Sequence, residues 1–324
     1  MIQFLELKNF RAFEHIRFES LGRANLIIGR NNTGKTSVLE ALVMKMGSGV
    51  QITELPFMFR DNVQGDDFQN YWSYLARDQK WEDFGIRTDD GAIGDVQDRE
   101  GIVKLMETES GAPILVAVIQ SNQINISGIP SRAKTTILST KASPPQSISE
   151  LFNQIAPLNP NNEDKLQDLL RNSIEPRLKR LRYAKPKGTD THLVYADLGK
   201  GPMLPFTQLG QAFTRTLEIY CEIFANQPKI ILIDEIENGL YYEGMEDFWK
   251  GLFEVLVDQD VQLFATTHSR ECMEAAHVAA TGRSEYPLRF LRLDRRADDP
   301  EKIVATTFGQ DEMQTAMETN REMR

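Results

Sequence analysis

The stretch Gly29-Arg-Asn-Asn-Thr-Gly34-Lys35-Thr36 limits what this chain can fold into more than any other. Before it lies a short apolar run, Asn25–Ile28, that stops at the glycine. After it, Val38, Leu39, Leu42, Val43 and Met46 recur at helical spacing. A strand, a glycine turn and a helix over 35–46 are therefore expected. Glycines let successive backbone N–H groups turn into one hollow that matches phosphate oxygens, and a helix starting there adds the positive end of its dipole. The fixed positions complete the pattern G-x-x-x-x-G-K-[ST] of a nucleotide phosphate loop. Gly29, Arg30, Asn31, Asn32, Thr33, Gly34, Lys35, Thr36 and Ser37 form the expected phosphate-binding set. Lys35 is expected to reach the β- and γ-phosphates, and Thr36 to ligate Mg²⁺.

A second run, Ile230-Ile-Leu-Ile233, leads straight into Asp234-Glu235. A buried strand ending in two carboxylates puts them at the sheet edge where α/β folds bind ligands. Asp234 is the expected Mg²⁺ ligand and Glu235 the general base that polarises an attacking water. The plainer reading is an acidic cap on the helix that follows. A third apolar strand, Gln262–Ala265, ends in Thr266-Thr267-His268-Ser269, so His268 stands at a neighbouring strand tip, where it could touch the γ-phosphate.

Two uninterrupted apolar strands, each feeding a helix, indicate an α/β fold with a parallel sheet covered on both faces. The opening residues read as two short strands, around Ile2–Leu7 and Ile16–Phe18. Runs at Ile114–Ile119 and Ile124–Ile129, separated by turns such as Asp89-Asp90-Gly91 and Ser110-Gly111, suggest an antiparallel sheet beside the parallel one. Past Ser143-Pro-Pro145 the pattern is helical to about residue 182, broken at Pro157–Pro160. Leu193–Tyr195 reads as a strand, 206–224 and 243–257 as helices, and the end as one strand, a turn and a short charged helix.

Charge excludes one class of function. The 324 residues carry a net charge of −10, so the chain's overall field does not attract polyanions. One local exception is Arg171–Lys187, where Arg171, Arg177, Lys179, Arg180, Arg182, Lys185 and Lys187 meet only Glu175; it reads as a solvated helix face or as a contact for DNA or RNA backbone. Cys221 and Cys272 supply neither a disulfide framework nor a metal pair. No apolar run approaches a bilayer span and no basic-then-apolar segment opens the chain, which makes the cytoplasm the expected location. The aromatics Phe68, Tyr71, Trp72, Tyr74 and Trp81 read as core rather than as a partner surface. His15, His192 and His277 show no metal spacing.

Leu7-Lys-Asn-Phe-Arg-Ala-Phe13 followed by Ile27–Ser37 resembles the start of SMC/RecF-type ABC ATPases. Ile231-Leu-Ile-Asp-Glu-Ile-Glu-Asn-Gly-Leu-Tyr241 and Ala265-Thr-Thr-His-Ser269 resemble the Walker B, D-loop and H-loop of that class. The wording Asp234–Gly239 is closest to the OLD-like branch, AAA/ABC hybrids of bacterial anti-phage defence. The resemblance implies an ABC-type P-loop ATPase head with an antiparallel β subdomain and a helical insertion. Its parts would be an N-terminal half over 1–140, the insertion over 141–182 and a C-terminal half over 183–324. It also implies ATP and Mg²⁺ as cofactors and a nucleotide sandwiched between two heads, giving a homodimer or higher homo-oligomer. The second head's signature loop corresponds here to Leu209-Gly210-Gln211-Ala212, with Gly210 in place of the serine and Ala212 in place of a glycine. Asn238 and Gly239, at the D-loop position, would line the seam. No coiled-coil arm, zinc hook or TOPRIM nuclease domain is expected.

Three functions follow from these readings. The first is an ATP-driven dimerising switch that controls a separate effector, a nuclease, possibly of TOPRIM type, in anti-phage defence. The second is a RecF-like repair ATPase that binds DNA directly, and the third a weakly hydrolysing scaffold. A GTPase is disfavoured by the lack of an N-K-x-D motif.

Overall fold

The computed structural model describes residues 1–59, 71–99, 102–108, 114–120, 123–126, 134–185 and 190–319. Its centre is a six-stranded sheet in the order Ile303–Phe308, Leu288–Arg295, Ala24–Gly29, Gln262–Thr266, Ile230–Ile233, Thr135–Leu138. The last five of these run parallel, and Ile303–Phe308 adds an antiparallel edge. The strand ending at Thr266 pairs with those ending at Gly29 and Ile233, so the chain leaves all three tips on one side of the sheet. Backbone geometry thus assembles the three sequence motifs before any side chain is considered.

Alternate residues of the apolar strands face opposite layers, as a pleated strand demands. Ile230 and Leu232 join Ile27 and Phe264 in one core with the helix Lys35–Met46 and the antiparallel sheet. Ile231 and Ile233 join Leu26, Ile28 and Leu263 in a second core beneath five further helices. Those helices are Pro145–Leu158, Pro160–Ser173, Gln211–Asn226, Met245–Asp258 and Arg270–Thr281. The helix Lys35–Met46 is buried nearly all round and carries its polar groups in pairs. Arg11 and Tyr71 engage Glu40, and Lys45 donates to Glu107 across 2.6 Å.

The antiparallel sheet has seven strands in the order Phe13–Phe18, Leu5–Phe10, Gly85–Thr88, Gly91–Arg99, Ile102–Thr108, Ile114–Gln120, Gln123–Ile126. Residues 127–129 of the expected strand and the Ser110-Gly111 turn lie outside the described residues. Three expectations need correction. The helical stretch ends at Ser173, not at 182, because Arg180–Ala184 is a strand paired with Leu193–Asp197 in a separate three-stranded sheet. The expected boundary between residues 182 and 183 therefore falls inside a strand. At the end of the chain two strands, Leu288–Arg295 and Ile303–Phe308, precede the helix where one was expected. Tyr71, Trp72 and Trp81 are buried, as the core reading has it, whereas Tyr74 is 50% exposed and does not belong to the core; Phe68 lies outside the described residues. No described helix is long and apolar enough to cross a membrane.

Candidate nucleotide site

The phosphate loop is shaped by two glycines in the left-handed region. Gly29 has φ 144° and Gly34 φ 91°, backbone that side chains rarely adopt. A Cβ at Gly34 would meet the Phe13 ring at 2.5 Å, and one at Gly29 would press on the Leu293 carbonyl. The loop is tied inside by Thr33 Oγ1 donating to Arg30 O at 2.8 Å, and outside by Arg295 Nη2 donating to Asn32 O at 2.9 Å. Arg295 is a support the sequence did not announce, since only the strand Leu288–Arg295 brings it there. Lys35 is 6% exposed and donates from Nζ to Gly29 O at 2.7 Å and Arg30 O at 2.9 Å. Burial lowers its pKa, opposed by the charges of Asp234, Glu235 and Glu237. The ammonium is thus held on two loop carbonyls, with the charges of three carboxylates acting on it.

Asp234 and Glu235 leave the tip of Ile230–Ile233 and are held by the neighbouring strand. The Thr266 hydroxyl donates to Asp234 Oδ1 at 2.5 Å and accepts from Glu235 N at 2.8 Å. One side chain thereby sets both carboxylates, a role that needs the register of two strands and is invisible in sequence. Asp234 is 5% exposed, and burial raises its pKa while the Thr266 bond works against the rise. Glu235 sits at φ 48°, its Oε2 accepting from Asn238 Nδ2 at 3.0 Å. His268 Nε2 stands 3.7 Å from Glu235 Oε1. Glu237, a second residue the sequence reading passed over, accepts the His268 N–H through Oε1 at 2.7 Å, while its buried Oε2 has no partner. His268, Thr267 and residues Gly29–Asn31 line one cavity of ≈ 320 Å³.

These residues suit a magnesium nucleotide. Among the described residues no three His, Cys, Asp or Glu side chains form a metal cage. Mg²⁺ does not need one, because it is commonly held by one or two carboxylates, phosphate oxygens and water. Asp234 and Thr36 supply hard oxygen donors, and the crowd of Asp234, Glu235 and Glu237 around Lys35 leaves negative charge for a cation to balance.

Leu209, Gly210 and Gln211 lie apart from this cavity. Gly210 caps the helix Gln211–Asn226 at φ 91° and ψ 170°, and no side chain caps that end. This backbone region is nearly exclusive to glycine. The serine of the resembled pattern is thus absent for a conformational reason. Gly210, Gln211, Asn238 and Gly239 line a second cavity of ≈ 480 Å³ with Thr140 and Ala142. The loop after Leu138, another element missed from sequence, reaches the site because Asp234 N donates to Leu138 O at 2.9 Å.

The basic stretch is not a helix face. Arg171 bonds the carbonyls of Leu178 and Lys179, Arg177 pairs with Glu175 and Lys185 with Asp190, while Lys179, Arg180 and Arg182 are exposed; Lys187 lies outside the described residues. His15 pairs with Glu6, His192 stacks on Tyr183, and His277 lies between Tyr286 and Gln314. Cys221 and Cys272 are buried and free.

Residues 24–274, which contain the phosphate loop, Asp234–Gly239 and Thr266–Ser269, match the family described as "AAA domain, putative AbiEii toxin, Type IV TA system". The chain belongs to that AAA-domain family. An ATP/GTP phosphatase of Helicobacter pylori is 22% identical over 326 residues, spanning 85% of this chain and 87% of its own length. The DNA replication and repair protein RecF of Caulobacter vibrioides is 33% identical over 88 residues, 27% of this chain and 22% of its own. An SMC head bound to the C-winged helix domain of ScpA superposes with a TM-score of 0.53 at 13% identity, covering 97% of this chain and 99% of its own. The SMC head of Thermotoga maritima gives 0.50 at 13% identity, covering 95% and 98%. The fold is therefore that of an SMC-head, ABC-type P-loop ATPase.

Proposed function

We propose that this AAA-domain protein hydrolyses Mg-ATP and uses the nucleotide to close two copies into a dimer that switches a separate effector. The observation that carries the reading is the single Thr266 hydroxyl bonded to both Asp234 and Glu235, across from the buried Lys35. On binding, Lys35 Nζ exchanges the carbonyls of Gly29 and Arg30 for the β- and γ-phosphate oxygens, with the loop N–H groups around them. Asp234 and Thr36 would hold Mg²⁺, which supplies charge neutralisation on the transferring phosphoryl group. Glu235, oriented by Asn238, takes a proton from the attacking water. Water oxygen joins the γ-phosphorus as the bond to ADP breaks. His268 lies close enough to Glu235 to bond the γ-phosphate or stabilise the protonated base.

A site that exposes its signature loop away from its own phosphate loop needs a second copy, hence the dimer. The effector is proposed as a nuclease, possibly of TOPRIM type, acting in anti-phage defence within the OLD-like branch. Two comparisons support such a role: the family description names a toxin system, and an SMC head with this fold carries a bound protein, ScpA. Size measurement of Glu235→Gln with Mg-ATP tests the dimer: a shift to twice the mass supports it, and a monomer at saturating nucleotide rejects it.

The RecF likeness and the exposed Lys179, Arg180 and Arg182 favour a second reading, direct contact with DNA. ATP-dependent DNA binding that weakens steeply with salt and disappears on neutralising those three residues would select it.

A further inference from the structure

The helix Gln211–Asn226 places Arg215 and Glu218 on one face, three residues apart. Both side chains are buried, 6% and 1% exposed, and form an ion pair of 3.0 Å. Burying two charges is costly unless their remaining bonding capacity is used. Here most of it is used on a single loop. Arg215 Nη2 donates to Ser139 O at 3.1 Å, and Glu218 Oε1 accepts from Ser143 N at 3.0 Å. The ion pair therefore grips both ends of residues 139–143.

That loop begins where the Thr135–Leu138 strand ends, beside Asp234. Its middle, Thr140 and Ala142, walls the ≈ 480 Å³ cavity onto which Gly210 and Asn238 open. Asn238 in turn bonds Glu235. Arg215 also keeps one buried donor, Nε, without an acceptor. An orphaned buried donor costs free energy, so the clamp is held at a cost.

The geometry points to Arg215 and Glu218 as positioning residues that lock the 139–143 loop to the helix behind Gly210, so that a nucleotide phosphate seated at Gly210 by a second copy sets the loop beside Asp234. The inference rests on the dimer reading above. It assigns the neighbouring site a mechanical input, carried by a contiguous chain of packed and bonded groups. Arg215 and Glu218 also line that cavity, and the role assigned to them is to hold the loop.

The test uses the full chain and the double variant R215Q/E218Q, which keeps volume and avoids leaving one charge buried alone. R215K is the second variant, keeping the charge but losing the fork that spans Glu218 and Ser139. Two readouts are compared. The first is amide hydrogen exchange over residues 139–143 without nucleotide, where the double variant is expected to exchange at least 10-fold faster while helix 35–46 is unchanged. The second is ATP hydrolysis against ATP affinity. Both variants are expected to bind ATP within 2-fold of the parent and turn over at least 10-fold more slowly. A double variant that stays folded yet keeps slow exchange at 139–143, or either variant that stays folded yet keeps parental turnover, overturns the clamp. Parallel loss of affinity and turnover overturns it too, since that marks general damage. If the parent binds ATP but does not hydrolyse it, the functional reading fails and the exchange comparison still decides the clamp.

Discussion

The phosphate-loop end and the signature end of this molecule both turn on a glycine at φ 91°, and they are built in opposite ways. Around Gly34 everything is packed: the Phe13 ring lies where a side chain would go, Lys35 is sequestered on two carbonyls, and Thr266 fixes both carboxylates. Around Gly210, among the described residues, nothing lies within 4 Å of where a Cβ would stand, no side chain caps the helix, and a cavity opens. One end is finished within the chain. The other is a helix start that no described side chain caps, open to a cavity.

The largest effect that would sharpen this contrast belongs to the finished end. Glu235→Gln should lower turnover by about 10²–10⁴-fold, the usual weight of a general base, with ATP affinity retained. Steady-state phosphate release beside a binding titration separates the two quantities, and equal losses in both would argue against a base at this position. Lys35→Ala comes next, with ATP affinity falling on the order of 100-fold as charge-assisted bonds to phosphate are lost. Unchanged affinity by calorimetry would remove Lys35 from the site.

Substitutions at the two glycines then break the comparison apart. Gly34→Ala combines a strained φ with a ring in the way and should cost about 2–5 kcal/mol in denaturant unfolding. Gly210→Ser meets only strained backbone and should cost about 1–3 kcal/mol, without raising turnover. A serine there that speeds hydrolysis would mean that the loop relaxes freely and that glycine was not conformationally required.

The smallest effect concerns the buried carboxylate. Burial lifts the Asp234 pKa above 3.8, so between that value and the raised one the folded state holds more protons than the unfolded. Stability therefore falls as pH rises through this window, and the deficit is complete above it. Asp234→Asn should raise stability near neutral pH by about 0.5–2 kcal/mol, and the gain should vanish at pH below 3.8. Thermal unfolding of both forms across pH reads the sign, and a destabilised variant at neutral pH would contradict the burial argument.

What could be read from sequence was what local spacing controls. The helix Lys35–Met46, the strand Ile230–Ile233 and the strand beginning at Gln262 follow from uninterrupted or periodic apolar residues. Strands with weak patterns escaped. Arg180–Ala184 buries only Leu181 fully and continues a helical-looking stretch, while Thr135–Leu138 is four residues long and pairs with Ile230–Ile233, distant in the chain. Ile303–Phe308 does carry a signal, β-branched residues close together. In the site, Lys35, Asp234, Glu235 and His268 come from motifs. Thr266 and Arg295 act only through strands that become neighbours in three dimensions, so no spacing announces them. Gly210 reads in sequence as a missing serine, and its dihedral angles give the reason.

The measurement that bears most directly on the central claim is phosphate release from Mg-ATP by the purified chain, with Lys35→Ala as the blank. Turnover above that blank, lost in Glu235→Gln while binding persists, is the result expected of a hydrolysing switch. Equal signal from the chain and the blank, with ATP bound to saturation by the chain, would contradict it.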